Sequence, residues 1–136
     1  MIIAGDIGGT KTNVALFESH AGRLDRIIAQ RSYPSGQYDS LEAIVGEFVK
    51  ELSPRVTHAC FGVAGPVKAG RVEATNLAWD VSAVWLADAL GVEGVGLIND
   101  LEATAYGIEV LQPSQFYTLN EGEGVRPGHR ALIAAG

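Results

Sequence analysis

The stretch AGDIGGTKTN, residues 4–13, lies between two apolar runs and decides how the rest of the chain is interpreted. A tight turn between two strands needs only one or two special residues, typically a glycine with an asparagine or aspartate. This stretch holds three glycines, an aspartate, a lysine and several short polar side chains. Because that is more backbone freedom and more polar chemistry than a connection requires, we expect a ligand to bind here.

The composition limits the classes of protein to which the chain can belong. It has 136 residues, 47% of them hydrophobic, and a net charge of −6. The length suits one ordinary domain or slightly more, and the negative charge argues against a nucleic-acid partner. No apolar run approaches the roughly 18 residues of a membrane span, and the N-terminus lacks a signal-peptide pattern. We therefore expect a cytoplasmic protein with no membrane partner, and a buried, structural thiol at its single cysteine, Cys60.

The order of the predicted elements indicates an α/β fold. Apolar patterning predicts strands over 1–5, 12–18, 25–33, 56–63 and 94–98, and helices over 41–52, 82–90 and 101–111. A small hairpin is predicted around Ala69 and Gly70, and further strands over 116–119 and 131–135. The resulting order, βββαβαβα, predicts a mixed sheet covered by helices. Doubly wound dinucleotide folds begin βαβ, so they are excluded.

The glycine-rich turn fits neither of the two common phosphate motifs. A Walker A loop requires Gly-Lys-Ser/Thr running into a helix, but here Thr10 precedes Lys11 and Thr12 leads into a strand. The dinucleotide fingerprint fails in both spacing and context. A third solution is a hairpin turn whose backbone N–H groups face phosphate oxygens. The alternative is a decorated turn in which Asp6 bonds its own backbone.

If the turn binds phosphate, its residues take different roles. Gly8 and Gly9 permit close approach of the ligand. The hydroxyls of Thr10 and Thr12 and the ammonium of Lys11 offer hydrogen bonds to phosphate oxygens. Asp6 would repel phosphate directly, so it would act through Mg²⁺ or its bound water.

A second polar pair, Asn99 and Asp100, follows the last buried strand in the segment GLINDLEATAYGI. A carboxylate at that end of a strand could accept a hydroxyl proton during transfer to phosphate. The alternative is a helix start, with Asn99 as N-cap, Asp100 favouring the helix dipole and Glu102 nearly completing a capping box. The two interpretations are compatible.

A third cluster comes from GVAGPV and VEATNLAWDVS. Gly65 and Pro66 make a rigid exit from a strand, and Asn76 lies near an aromatic side chain, Trp79. Amide groups beside apolar surface commonly hold carbohydrate, so we predict sugar contacts at Gly65, Pro66 and Asn76. The alternative for Trp79 is a core anchor before a helix.

Together these stretches resemble one family. GDIGGTKTNVAL resembles the phosphate loop of the actin-like sugar kinases, and FGVAGPV, GRVEATNLAWDVS and LINDLEATAYGI resemble blocks of the bacterial glucokinases in the same order and spacing. The segment TNLAW is closer to that branch than to the related repressors with a zinc-binding cysteine motif. The resemblance covers nearly the whole chain. It implies a ribonuclease-H-like small lobe over 1–111 and the start of a larger lobe over 112–136.

The resemblance also implies an activity, namely transfer of a phosphoryl group from ATP, with Mg²⁺, to the 6-hydroxyl of glucose. The residues implied at the ATP phosphates are Asp6, Gly8, Gly9, Thr10, Lys11 and Thr12. Asn99 and Asp100 would hold glucose, with Asp100 as general base. Lys11 departs from some glucokinases, which carry asparagine there.

Members of this family have a second lobe with adenine contacts and further sugar ligands. From the resemblance we therefore expect this chain to be an N-terminal portion that is inactive alone, and we expect a homodimer. The alternative is a non-catalytic sugar sensor or regulator of the same fold, against which the retained Asp100 argues. A self-sufficient nucleotide-binding module would need an adenine pocket, and the sequence offers no candidate.

Overall fold

The computed structural model describes residues 1–20, 23–74, 76–122 and 128–134. Its strands are β1 (Ile2–Ile7), β2 (Lys11–His20), β3 (Arg23–Pro34), β4 (His58–Val63), β5 (Arg71–Glu73), β6 (Asp80–Ser82) and β7 (Val95–Asn99). Its α-helices are α1 (Leu41–Leu52), α2 (Ala83–Leu90) and α3 (Asp100–Ile108). Single 3₁₀ turns lie at Ser35–Gln37 and Pro113–Gln115.

The main sheet has five strands in the order β3-β2-β1-β4-β7. The first three strands are antiparallel neighbours, whereas β1, β4 and β7 run parallel. This mixed sheet, with the helices in the expected order, confirms the predicted α/β, ribonuclease-H-like arrangement. The small β5–β6 ribbon is separate from it.

The core lies on one face of the sheet, beneath α1 and α2. Alternate residues of the central strands point into it, which is the period expected of a sheet with one covered face. Helix α1 is capped by Ser40, whose Oγ accepts a hydrogen bond from the Ala43 N–H at 3.2 Å. Its apolar positions recur at helical spacing and are fully buried: Leu41, Ile44, Val45 and Phe48.

Helix α3 lies against the opposite face of the sheet. Phe61 and Val63 of β4 point into the core, so Gly62 between them faces the other way. A Cβ built at Gly62 would lie 3.0 Å from the Cβ of Ala103, which shows how closely α3 approaches there. Nevertheless, none of the nine described residues of α3 is buried.

The hairpin predicted around Ala69 and Gly70 is confirmed as a turn but not as a simple hairpin. Both residues have positive φ, at 50° and 72°, and Lys68 and Arg71 exchange backbone hydrogen bonds of 2.9 and 3.0 Å across them. The following strand, β5, then pairs with β6, which the sequence pattern does not predict; only its last residue, Ser82, lies in the helix predicted over 82–90. At three residues, β6 is too short to show an alternating pattern.

The strands predicted over 116–119 and 131–135 are wrong at the described residues, 116–119 and 131–134. These residues lie outside both sheets and are largely exposed, with Tyr117 at 88% and Leu119 at 92%. Apolar composition alone does not make a strand, because a strand also needs a neighbour to pair with. Residues 21–22 and 135 lie outside the described residues.

Within the described ranges, no helix has both the length and the apolar character that crossing a membrane requires.

Candidate active site

Three polar segments meet at one edge of the sheet. Ile7, Val63 and Asn99, the last residues of β1, β4 and β7, are paired in register across the parallel strands. The glycine turn therefore follows β1 beside the Gly65–Pro66 exit of β4, and Asp100 follows β7. The carboxyl ends of parallel strands are where α/β sheets place ligands. The structure thus brings together three regions that the sequence predicts as separate motifs.

The glycine turn is closed by its own backbone and touches Asn76. The Gly8 N–H donates to the Lys11 carbonyl at 3.0 Å. A Cβ at Gly9 would lie 2.7 Å from the Cβ of Asn76, so any side chain there would displace one of the two segments. Asn76 was predicted as a sugar contact, and the structure places it against the glycine turn.

Ser35 lies beneath this turn, and sequence reasoning missed it. Its Oγ donates to the Gly8 carbonyl at 2.7 Å, and its N–H donates to the Thr10 carbonyl at 3.0 Å. The Thr12 hydroxyl lies 3.0 Å from the same Oγ, and both Ser35 and Thr12 are fully buried. In the sequence, Ser35 lies in the segment PSG, between the strand predicted over 25–33 and the helix predicted over 41–52. Thr12 therefore faces the protein interior, whereas Thr10 and Lys11 are exposed.

Asp6 is exposed and contacts the neighbouring strand. It pairs in register with Asn13, whose Nδ2 lies 3.5 Å from the Asp6 Oδ2. No backbone N–H in the described part of the turn donates to Asp6, so the decorated-turn alternative lacks its main bond. Asn13 is a further site residue that sequence reasoning missed.

A metal ion at this edge would depend on ligands other than side chains. The described residues contain no cluster of three or more histidine, cysteine or acidic side chains suited to a metal. One exposed carboxylate, Asp6, is what Mg²⁺ typically receives from a protein when phosphate oxygens and water supply the other ligands. The residues present therefore fit a phosphate-bound Mg²⁺.

Asn99 joins the ends of β4 and β7. Its Oδ1 accepts from the Leu101 N–H at 3.0 Å, which confirms the helix-cap interpretation. Its Nδ2 donates to the Gly65 carbonyl at 3.0 Å. Because one side chain holds both segments, the backbone at Gly65 and Pro66 is placed relative to α3.

Asp100 is half-buried and is the first residue of α3. Its Oδ1 also accepts from the Leu101 N–H, at 3.0 Å, so Asp100 rather than Glu102 provides the second acceptor at this helix start. None of the described residues donates a hydrogen bond to its Oδ2. That oxygen is therefore a free carboxylate position at this edge.

Trp79 is a core residue, as its alternative interpretation proposed. It is buried, and its Nε1 donates to the Tyr38 carbonyl at 3.0 Å. A 3.1 Å bond from the Ala74 N–H to the Trp79 carbonyl closes the loop that carries Asn76. The segment from Ser35 to Tyr38 thus holds the glycine turn at one end and this loop at the other.

A cavity of about 420 Å³ lies beside this edge, behind Pro66. Its charged lining residues are Lys68, Arg71, Glu73 and Asp80. Arg71 forms an ion pair with Asp80 and lies 5.0 Å from the ring centre of Trp85. The cavity therefore carries both signs of charge, with one cation already paired.

Comparison with known proteins gives consistent matches along the chain. The family model described as glucokinase matches residues 3–136. The chain is 37% identical over 137 residues to a glucokinase of Nostoc punctiforme, covering 100% of this chain and 40% of that protein. It is 34% identical to a glucokinase of Photorhabdus laumondii, covering 98% of this chain and 41% of that protein. The chain spans about 40% of the length of these curated relatives.

Solved structures show the same likeness. A glucokinase from an Antarctic psychrotroph superposes with a TM-score of 0.71 at 32% identity, covering 84% of this chain and 36% of that one. A glucokinase from Balamuthia mandrillaris, solved in complex with glucose, superposes with a TM-score of 0.60 at 26% identity. That match covers 79% of this chain and 31% of the other.

Proposed function

This chain belongs to the glucokinase family, and on that premise we propose that its strand edge holds the phosphates of ATP and the hydroxyls of glucose during phosphoryl transfer. The product would be glucose 6-phosphate. The observation that carries the proposal is the register of β1, β4 and β7, because it brings a glycine turn and a free carboxylate oxygen to one edge.

On the phosphate side, backbone and side chains would act together. The Gly8–Gly9 backbone can approach an anion closely, and the exposed Thr10 hydroxyl and Lys11 ammonium can donate to phosphate oxygens. Thr12 would support the turn from below, because its hydroxyl already contacts Ser35. Asp6 would hold Mg²⁺ through water, and that ion supplies neutralising charge at the phosphates.

On the sugar side, we assign Asn99, Gly65, Pro66 and Asn76 to placing the hydroxyl groups. Asp100 would accept the proton of the glucose 6-hydroxyl at Oδ2 while the hydroxyl oxygen attacks the γ-phosphorus of ATP. The bond from that phosphorus to the bridging oxygen breaks, and ADP leaves. General-base assistance of this kind is typically worth about 10²–10⁴ in rate. Positioning of the two substrates would supply most of the remaining rate enhancement.

Glucose as the sugar is supported by the Balamuthia mandrillaris relative, whose structure holds glucose. The family match supports ATP as phosphoryl donor.

We also propose a cytoplasmic homodimer. Exposed apolar side chains such as Val110, at 76%, and Leu119, at 92%, offer surface for association, which sedimentation against concentration would measure.

The test uses a chimera in which this chain replaces the homologous segment of the Nostoc punctiforme glucokinase. Formation of glucose 6-phosphate is followed for the chimera and for Asp100→Asn. Asparagine caps a helix about as well as aspartate, so unfolding free energy should change by less than about 1 kcal/mol. The amide cannot accept the proton, so kcat should fall about 10²–10⁴-fold.

Glu102→Gln, an exposed carboxylate on the same helix, is the matched control and should keep kcat. An Asp100→Asn variant with unchanged kcat would leave Asp100 as a helix-start residue only. A chimera that binds glucose without turnover would favour the sensor alternative.

A further inference from the structure

We propose that Ser35 is a positioning residue that orients the backbone N–H groups of the glycine turn toward phosphate. This inference rests on the proposed phosphate site. Ser35 is fully buried and forms hydrogen bonds with Gly8, Thr10 and Thr12, so it contacts three of the turn's residues from a segment more than twenty positions away in sequence.

The orientation follows from the planarity of the peptide bond. The Gly8 carbonyl points at the Ser35 Oγ, and the Thr10 carbonyl points at the Ser35 N–H. In a trans peptide the C=O and the next N–H point in opposite directions. The N–H groups of Gly9 and Lys11 therefore point away from Ser35. Because Ser35 holds the two carbonyls on the inner side of the turn, these two N–H donors lie on its outer side.

The hydrogen-bond directions within this network are determined by proton count. Ser35 has one hydroxyl proton and donates it to the Gly8 carbonyl at 2.7 Å. The Thr12 hydroxyl, 3.0 Å away, must therefore donate to the Ser35 Oγ. Thr12 acts on the turn through Ser35, and its proton is not available to a phosphate oxygen.

This arrangement makes a prediction that direct phosphate contact by Thr12 does not make. Removing the Ser35 hydroxyl frees the Gly8 carbonyl and also leaves Thr12 without its acceptor. Removing only the Thr12 hydroxyl leaves the bond from Ser35 to Gly8 in place. Loss of phosphate affinity should therefore be larger for Ser35→Ala than for Thr12→Val.

The experiment titrates the ¹⁵N-labelled chain with magnesium pyrophosphate at constant ionic strength and follows the amide signals of Gly8, Gly9 and Lys11. We expect the dissociation constant to rise about tenfold or more in Ser35→Ala, since buried hydrogen bonds are lost. Thr12→Val should raise it about two- to threefold. Ser40→Ala is the control, because it removes another hydroxyl–backbone bond, at the start of α1, and should leave the affinity unchanged.

Amide exchange at Gly9 without ligand is the second measurement and does not depend on affinity. It should accelerate in Ser35→Ala and not in Ser40→Ala. If magnesium pyrophosphate shifts the turn amides of the wild type and of Ser35→Ala with equal affinity, this inference alone is overturned. An effect of Thr12→Val as large as that of Ser35→Ala also overturns it. Absence of any wild-type shift at the turn overturns the phosphate site together with this inference.

Discussion

The glycine turn and helix α3 lie at the same edge of the sheet, but the chain holds them in different ways. The turn is supported from below by two fully buried side chains, Ser35 and Thr12. Helix α3 carries Asp100, yet none of its described residues is buried, and its start depends on the Asn99 cap. We call these the turn side and the α3 side of the site.

Because of this difference, the two sides of the site should differ in local stability. The turn side is joined to the core, so opening it requires breaking core contacts. The α3 side buries little apolar surface and should open at a lower free energy than the whole fold. The proposed base therefore lies on the less stable side. The groups proposed to donate hydrogen bonds to phosphate lie on the more stable side.

The largest expected effect comes from comparing a substitution in the core with a substitution in α3. Phe48→Ala removes a fully buried ring from α1 and should lower the free energy of unfolding by about 3–5 kcal/mol. Leu101→Ala, at a position 46% exposed, should cost less than about 1 kcal/mol. Urea unfolding measures both. Similar losses would mean that α3 is as well packed as α1.

A smaller effect is expected at the cap that holds the α3 side. Asn99→Ala loses the bonds to the Leu101 N–H and to the Gly65 carbonyl, which together should cost about 2 kcal/mol. Asn99→Asp keeps the cap and loses only the donor to Gly65, costing about 1 kcal/mol. Amide exchange in α3 should report the change before global unfolding does. Equal protection in all three proteins would contradict the assigned role of the cap.

A pair of glycine substitutions sharpens the comparison further. Gly46 in α1 and Gly107 in α3 each have open space where a Cβ would be. Alanine at either position should stabilise its helix by about 0.5–1 kcal/mol. In α1 the gain should raise the melting temperature, whereas in α3 it should appear mainly as slower local amide exchange. An equal rise in melting temperature for both would show that α3 unfolds together with the core.

The smallest effect concerns pH on the turn side. Burial raises the pKa of Tyr33 above its usual value, with the nearby Glu47 and Glu51 adding to the shift. The raised pKa means that the folded state favours the neutral phenol, so this contribution is complete below the unfolded pKa of about 10 and is lost as pH rises through the folded pKa. Tyr33→Phe should weaken the alkaline fall in melting temperature. Tyr106→Phe on exposed α3 is the control, and an identical effect there would contradict this origin.

The parts of the fold that could be predicted are those that local patterns encode. The helical spacing of Leu41 to Phe48 identified α1, and the apolar runs identified the main sheet. The glycine turn and the Asn99–Asp100 pair were visible because residues adjacent in sequence carry their chemistry.

What could not be predicted depends on contacts between distant residues. Ser35 acts through bonds to the turn far earlier in the chain, and nothing in its neighbours indicates those bonds. Strand β6 was missed because it is three residues long. The strand expected over 116–119 failed because pairing partners, which local composition does not encode, decide whether an apolar run becomes a strand.

The central claim is that the ends of β1, β4 and β7 form one site where phosphate and sugar meet. The most direct measurement is ¹⁵N–¹H spectroscopy of the chain with manganese–ATP, followed by glucose. We predict that paramagnetic broadening centres on Gly8 to Lys11 and extends to Asn76, and that glucose shifts the amides of Gly65 and Asn99. Broadening centred on the cavity of Lys68 and Arg71, or glucose shifts away from these strand ends, would contradict the account.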